Sequence, residues 1–347
     1  MTIPSQQQLT VGPLLDEKGQ LVQKGFATSL VRCYDRHAIK AGKTRIKEWD
    51  YYCICGEDTI LALTIADNSY MGLDSVTLID IPLRWQHTRS FMRAFPMGKT
   101  GFPATSTRGD VESSGKGYNL RFANDGRKRV LTVHVEDFFH GLPLEATVEL
   151  TDEPHDSMVI ATPFPNAPRH FYYNQKINCL SAGGQVVFDG QVREFKADSA
   201  MGVLDWGRGV WTYQNTWYWG SASGRVGSVP FGMNLGYGFG DTSAATENML
   251  FYNGRAHKLE HVTFSIPMGA EGREDYVTPW KVKDNQGRLL LTFTPFLDRA
   301  SRTGAVLIES DQHQVFGHFD GTVELDDGTG LEIRHLLGFA EKVKNRW

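Results

Sequence analysis

Short segments rich in β-branched and aromatic residues, each closed by turn formers, recur along almost the whole of this 347-residue chain. Thr59–Ala66 (TILALTIA), Ser75–Ile81 (SVTLIDI), Arg129–Glu136 (RVLTVHVE), Glu145–Leu150 (EATVEL), His261–Ile266 (HVTFSI) and Arg288–Thr294 (RLLLTFT) are examples. Between such segments stand Asn124-Asp125-Gly126, Asp189-Gly190, Asn253-Gly254, Asn285-Gln286-Gly287 and Asp326-Asp327-Gly328. Asn-Gly and Asp-Gly supply the positive φ that tight hairpins need. An antiparallel all-β fold, barrel or sandwich, follows. Only Leu336–Trp347 leaves a choice, reading as a final helix or strand.

Hydrophobic residues at 41% and charged residues at 22% describe ordinary globular material rather than a disordered chain. The surplus lies in 36 Gly and in 12% aromatics, 8 of them Trp: many turns around wide rings. A formal charge of -4 provides no global basic field, which excludes nucleic acid as a default partner. Met1–Thr10 lacks the basic and apolar regions of a signal peptide, and no apolar run is long enough to span a bilayer, so a cytoplasmic protein without an integral membrane segment is expected. Arg84, Arg89, Arg93 and Lys99, interleaved with Trp85, Phe91 and Phe95, read first as a solvated face. They leave peripheral contact with anionic headgroups open.

Neither an organic cofactor nor a metal is expected. Gly236-Tyr237-Gly238-Phe239-Gly240 lacks the spacing and setting of a phosphate-cradling loop, and Ser221 and Ser223 do not stand in a nucleophile elbow. His257 and His261 are four apart, roughly 13 Å along a strand, too far for one ion. Cys53 and Cys55 share one strand face and read as packed, reduced thiols.

Prolines cluster in Thr162–Pro168 (TPFPNAP) and cannot donate to a central ladder, so they mark the expected linker between domains 1–165 and 166–347. The halves echo each other. Tyr70-Met71-Gly72 follows Trp49 at nearly the distance at which Tyr237-Gly238 follows Trp217, and an acid, Asp35 or Asp205, precedes each tryptophan. A duplicated β-domain is the reading.

Chemistry concentrates in Gly202–Gly224, GVLDWGRGVWTYQNTWYWGSASG. On a strand Trp217 and Trp219 share a face and can wall a cavity. Asp205 among indoles is a candidate general acid, since apolar surroundings raise a carboxyl pKa. The plainer alternative makes the two indoles core and has Asp205 cap a turn or pair with Arg208.

His170–Asn174 (HFYYN), Ser181–Gly184, Asp189-Gly190, Asp205-Trp206-Gly207 and Trp217-Tyr218-Trp219 resemble the second half of the lipocalin-like superfamily of hydroxyneurosporene synthase, AttH-like proteins and Diels–Alderase-like cyclases. A bacterial and fungal domain-of-unknown-function branch is similar over nearly the whole chain, through Leu14-Leu15…Gly19, Glu48-Trp49-Asp50-Tyr51-Tyr52, Ile65-Ala66-Asp67, Asp205-Trp206…Gly209 and Gly338-Phe339-Ala340-Glu341…Trp347. The resemblance implies two tandem lipocalin-like barrels with a hydrophobic cavity or an inter-barrel cleft. One departure matters. The hydratases carry an acid or amide between this Asp and its Trp, and here Asp205 touches Trp206 directly, which leaves Glu247 as a substitute second carboxyl.

Trp206, Trp217, Trp219, Tyr173, Trp49 and Tyr52 are the expected ligand-facing rings. Binding of a hydrophobic small molecule (isoprenoid, acyl chain or polyketide) ranks first. A cofactor-independent hydratase, isomerase or cyclase with Asp205 as acid ranks second, and a carbohydrate-binding or glycoside-active protein using Asp205 and Glu247 third.

Overall fold

The computed structural model describes residues 6–270, 272–305 and 308–346, so Trp347 and the first five residues lie outside it. The turn signals close hairpins. Asn124-Asp125-Gly126 links strand Tyr118–Asn124 to Arg129–Phe139, Asp189-Gly190 links Ala167–Phe188 to Gln191–Phe195, and Asn253-Gly254 links Met249–Tyr252 to Arg255–Lys258. Among the described residues the only helical elements are the 3-10 turns Arg36–Ala38 and Lys43–Arg45, and the C-terminal segment is a strand, Gly330–Arg346. Within the described residues no helix is long and apolar enough to cross a membrane.

Two curled antiparallel sheets make the fold, as two tandem lipocalin-like barrels require. The first contains a meander of Ile46–Cys55, Thr59–Asp67, Met71–Asp80 and Trp85–Ala94. Its closing strand, Met201–Val210, pairs with the first strand of that meander and leads on to Ala167–Phe188, Leu142–Thr151, Arg129–Phe139 and Tyr118–Asn124. The second sheet repeats the plan. Gln214–Val226, Val229–Tyr237, Met249–Tyr252 and Arg255–Lys258 form its meander; Gly330–Arg346 closes on Gln214–Val226 and leads on to Ile308–Glu324, Leu289–Ala305, Trp280–Asp284 and Val262–Ser265. The duplication heard in the sequence is therefore a duplication of sheet order, with Trp49 and Trp217 on equivalent strands.

The boundary between the sheets differs from the expected 1–165 and 166–347 division. Met158–Phe164 and Ala167–Phe188 form a hairpin within the first sheet, with Pro163 opposite Phe171, and the chain changes sheets between Val210 and Gln214. Proline is tolerated here because Met158–Phe164 is a side branch, bordered by Ala167–Phe188 and the three-residue strand Gly25–Ala27, which stops short of Pro163.

Central strands are buried on both faces, as all ten residues of Met201–Val210 show. Tyr52, Ile54, Leu204 and Trp206 point into the first barrel's core, while Tyr51, Cys53 and Val203 pack with Trp219, Phe316 and Phe339 of the second sheet. Period-two alternation thus assigns one side chain to a barrel interior and the next to the junction between sheets. Cys53 and Cys55 do share a face, as free thiols with sulfurs 4.0 Å apart. Arg93 leaves the expected basic face: its guanidinium is bidentate on buried Asp74, at 2.8 and 3.0 Å, and Ser113 and Tyr118 donate to the same carboxylate.

Candidate functional site

Where the two sheets part, a cavity of about 560 Å³ opens between them. Five rings wall one end. Trp49 stacks on Tyr172 at 6.2 Å between centroids and meets Trp211 edge-on at 5.1 Å; Trp211 in turn meets Trp217 at 5.9 Å, and Phe239 sits 4.9 Å from both Tyr172 and Trp211. Trp211 lies on the short connection between the sheets, so the crossover itself supplies a wall.

Glycines make the room. A Cβ at Gly207 would lie 1.9 Å from Cζ2 of Trp49, so the indole occupies the place of a side chain on the neighbouring strand. A Cβ at Gly236 would lie 2.7 Å from the Glu247 carboxyl carbon. Gly207→Ala is expected to expel the Trp49 indole and cost about 2–3 kcal/mol in urea unfolding, the usual cost of overpacking. Unchanged stability would show that the indole can find another seat.

The polar lining follows the repeat. Tyr51 stands opposite Asp205 in the first sheet, and Trp219 stands opposite Glu341 in the second. One strand further, Lys176 is opposite Asp205, and Gln314 is opposite Glu341. The hydrogen bonds repeat too: Trp49 Nε1 donates to Asp205 Oδ2 at 3.2 Å, and Trp217 Nε1 donates to Glu341 Oε1 at 2.9 Å. Each flanking residue then crosses to the other sheet. Lys176 Nζ lies 4.2 Å from the Trp219 ring centroid, and Gln314 Nε2 donates to the Tyr51 hydroxyl at 3.2 Å.

What breaks this likeness is lysine in one half against glutamine in the other. Asp205 Oδ1 receives Asn174 Nδ2 at 2.5 Å and pairs with Lys176 Nζ at 3.2 Å, so with Trp49 three donors converge on this carboxylate. Among the described residues no cation forms an ion pair with Glu341. Burial pushes its carboxyl up to about 7, against the opposing pull of the Trp217 hydrogen bond and the more distant Arg299 and Lys176. Glu247 is also raised, chiefly by burial, although Lys176 lies 3.8 Å away. The Tyr172 phenol, buried beside these acids and accepting from Lys176 at 3.3 Å, is raised well above its ordinary range. Among the described residues no three His, Cys, Asp or Glu side chains stand together as a metal site needs.

A family model, Domain of unknown function (DUF2804), matches residues 5–347. The chain belongs to the DUF2804 family. No curated protein matches it by sequence. Among solved structures, a protein assigned as AttH from Nitrosomonas europaea is similar to this DUF2804 chain at 14% identity and a TM-score of 0.54, covering 87% of the chain and 92% of its own. Kievitone hydratase from Nectria haematococca aligns at 10% identity and a TM-score of 0.49, covering 97% and 98%. The first likeness shows the fold alone.

Of the residues singled out in the DUF2804 sequence, Asp205, Glu247, Trp49, Trp217 and Trp219 line the cavity. Trp206, Tyr173 and Tyr52 do not. They lie in the first barrel's core, where Tyr173 donates to the Arg32 carbonyl at 2.8 Å and Trp206 stacks under Arg208, 4.1 Å from its guanidinium carbon. Each is one residue out of phase: Asp205, Tyr172 and Tyr51 take the cavity face instead. Arg208, read as a partner for Asp205, pairs with Asp50 at 3.0 Å on the barrel side. Sequence reasoning missed Lys176, Trp211, Gln314 and Glu341. Glu341 stood inside a quoted family motif, but its twinning with Asp205 comes from cross-strand register; the acid paired with Asp205 in the sequence echo, Asp35, instead caps a 3-10 turn by accepting from the His37 N–H.

Proposed function

We propose that the protein binds a largely apolar small molecule in the cleft between its two sheets. The observation that carries this is the cavity of about 560 Å³ walled by Trp49, Tyr172, Trp211, Trp217 and Phe239, with a few charged side chains, Lys176, Asp205, Glu247, Arg299 and Glu341, in its lining. That volume falls in the range of small-molecule sites, and apolar walls with a few convergent polar groups are their usual make-up. An inter-barrel cleft takes the place of a cavity inside either barrel, whose interiors are filled by side chains such as Trp206 and Trp280.

Native mass spectrometry of the purified chain tests the ligand class, through the mass of any co-purifying molecule. The neutral fluorescent probe N-phenyl-1-naphthylamine tests the site. Ser75 lies on the cavity wall three strands from Asp205, and Ser75→Trp is expected to weaken probe binding at least about tenfold by filling the space. Equal binding by both proteins sinks the reading.

A second reading, a cofactor-independent hydratase, isomerase or cyclase in the same cleft, is supported by two acids in opposite settings. Glu341 takes the proton-donor role assigned from sequence to Asp205, and Asp205, held by donors, suits a base or electrostatic role. If the wild-type chain converts the extracted ligand and Glu341→Gln does not, the enzyme reading stands; if the wild type never converts it, binding is the whole function. The glycoside alternative loses support because Lys176 bridges Asp205 and Glu247, leaving neither free to act across a glycosidic bond.

A further inference from the structure

Gln314 and Glu341 stand opposite each other on neighbouring strands, both line the cleft, and both are more than nine-tenths buried. Gln314 donates its Nε2 to the Tyr51 hydroxyl. Among the described residues its Oε1 is a buried acceptor without a hydrogen-bond partner. Such an acceptor is costly, and a native structure rarely keeps one without reason. Beside it, Glu341 accepts the Trp217 indole N–H on Oε1. The cleft wall therefore offers an unfilled acceptor and a carboxyl side by side.

We infer that the molecule bound in the cleft carries a hydroxyl group, as an apolar alcohol or phenol, seated between Glu341 and Gln314. The inference rests on the cleft being the ligand site. A hydroxyl is the group that suits both neighbours, because it donates through its hydrogen and accepts through its oxygen. Its O–H answers Gln314 Oε1, and its oxygen accepts the proton of the Glu341 carboxyl, whose pKa burial raises to about 7, so that the acid form prevails at the mildly acidic pH of the test.

Other head groups fit less well. A ketone serves Glu341 and leaves Gln314 Oε1 orphaned. A carboxylate accepts from Glu341 but cannot donate to Gln314 Oε1. An ammonium serves Gln314 but faces the Glu341 proton and the cations Arg299 and Lys176, which line the same space. The rest of the ligand then lies along the rings from Trp217 to Trp49.

The test compares two fluorescent probes of one shape, 1-hydroxypyrene and 1-methoxypyrene, by titration of the full chain at about pH 6. Both accept a hydrogen bond, and only the first donates one. The wild type is expected to bind 1-hydroxypyrene about tenfold more tightly, the worth of one buried hydrogen bond that rescues an orphaned acceptor. In Gln314→Leu the ratio is expected to fall to about one. Equal affinity of the wild type for the two probes overturns the hydroxyl assignment and leaves the cleft reading intact. A preference that survives undiminished in Gln314→Leu overturns the placement. If neither probe binds, the cleft reading falls and this inference with it. The wild-type ratio decides alone should Gln314→Leu fail to fold.

Discussion

Lys176→Met is expected to destabilise the chain by about 3–5 kcal/mol, the cost of removing one partner from a buried ion pair. The lysine is 3% exposed, its ammonium lies 3.2 Å from Asp205 and 3.8 Å from Glu247, and the face of Trp219 covers it at 4.2 Å. Methionine keeps the volume and deletes the charge, leaving two carboxylates confined together. Urea unfolding at neutral pH measures the loss. The double variant Lys176→Met with Asp205→Asn is expected to recover much of it, because the amide no longer needs a cation. If the double variant is as unstable as the sum of the two single ones, the pair is not coupled and the lysine serves only as packing.

Glu341→Gln has a pH signature of its own. In the folded chain the Glu341 carboxyl titrates at about 7, and in the unfolded chain near its ordinary 4.5. Between those values the folded state holds the extra proton, so stability falls as pH rises through the window and is flat above it. At about 1.4 kcal/mol per pH unit the wild type loses roughly 3 kcal/mol that the glutamine variant keeps. The two proteins are expected to match near pH 5 and to differ by that amount near pH 8.5, the variant being the more stable. Lys47 and Lys258, each lowered to about 7 by burial, act in the opposite direction above neutrality; both are common to the two proteins and cancel in the difference. Parallel stability curves from pH 5 to 8.5 would show that Glu341 ionises as an exposed glutamate does.

The fold was legible because turn chemistry is local. Asn-Gly and Asp-Gly pairs report their hairpins whatever surrounds them, and the collinear Trp49 and Trp217 segments reported the duplication. The division between sheets was not legible at Thr162–Pro168, since proline forbids only a donated ladder bond, and Pro163 sits on a side branch where that loss is tolerated. The candidate site was half legible for a related reason. A strand buried on both faces has no polar side to set its phase, so Asp205 and Trp206, or Tyr172 and Tyr173, exchange roles with a one-residue error. Trp217 and Trp219, two apart, were safe from that ambiguity. Lys176 and Gln314 carry no motif. Their meaning comes from cross-strand register with Asp205 and Glu341, which only the folded pairing reveals.

The sheet order repeated along the chain is what joining two copies of one half end to end would give. With the copies unjoined, one gene would place the same acid and the same flanking residue on both sides of the axis relating them, so a ligand at the axis would meet identical groups left and right. Fusion releases that constraint. With Lys176 beside one tryptophan-bound acid and Gln314 beside the other, the two ends of the repeat no longer match, and the cleft has a left and a right hand.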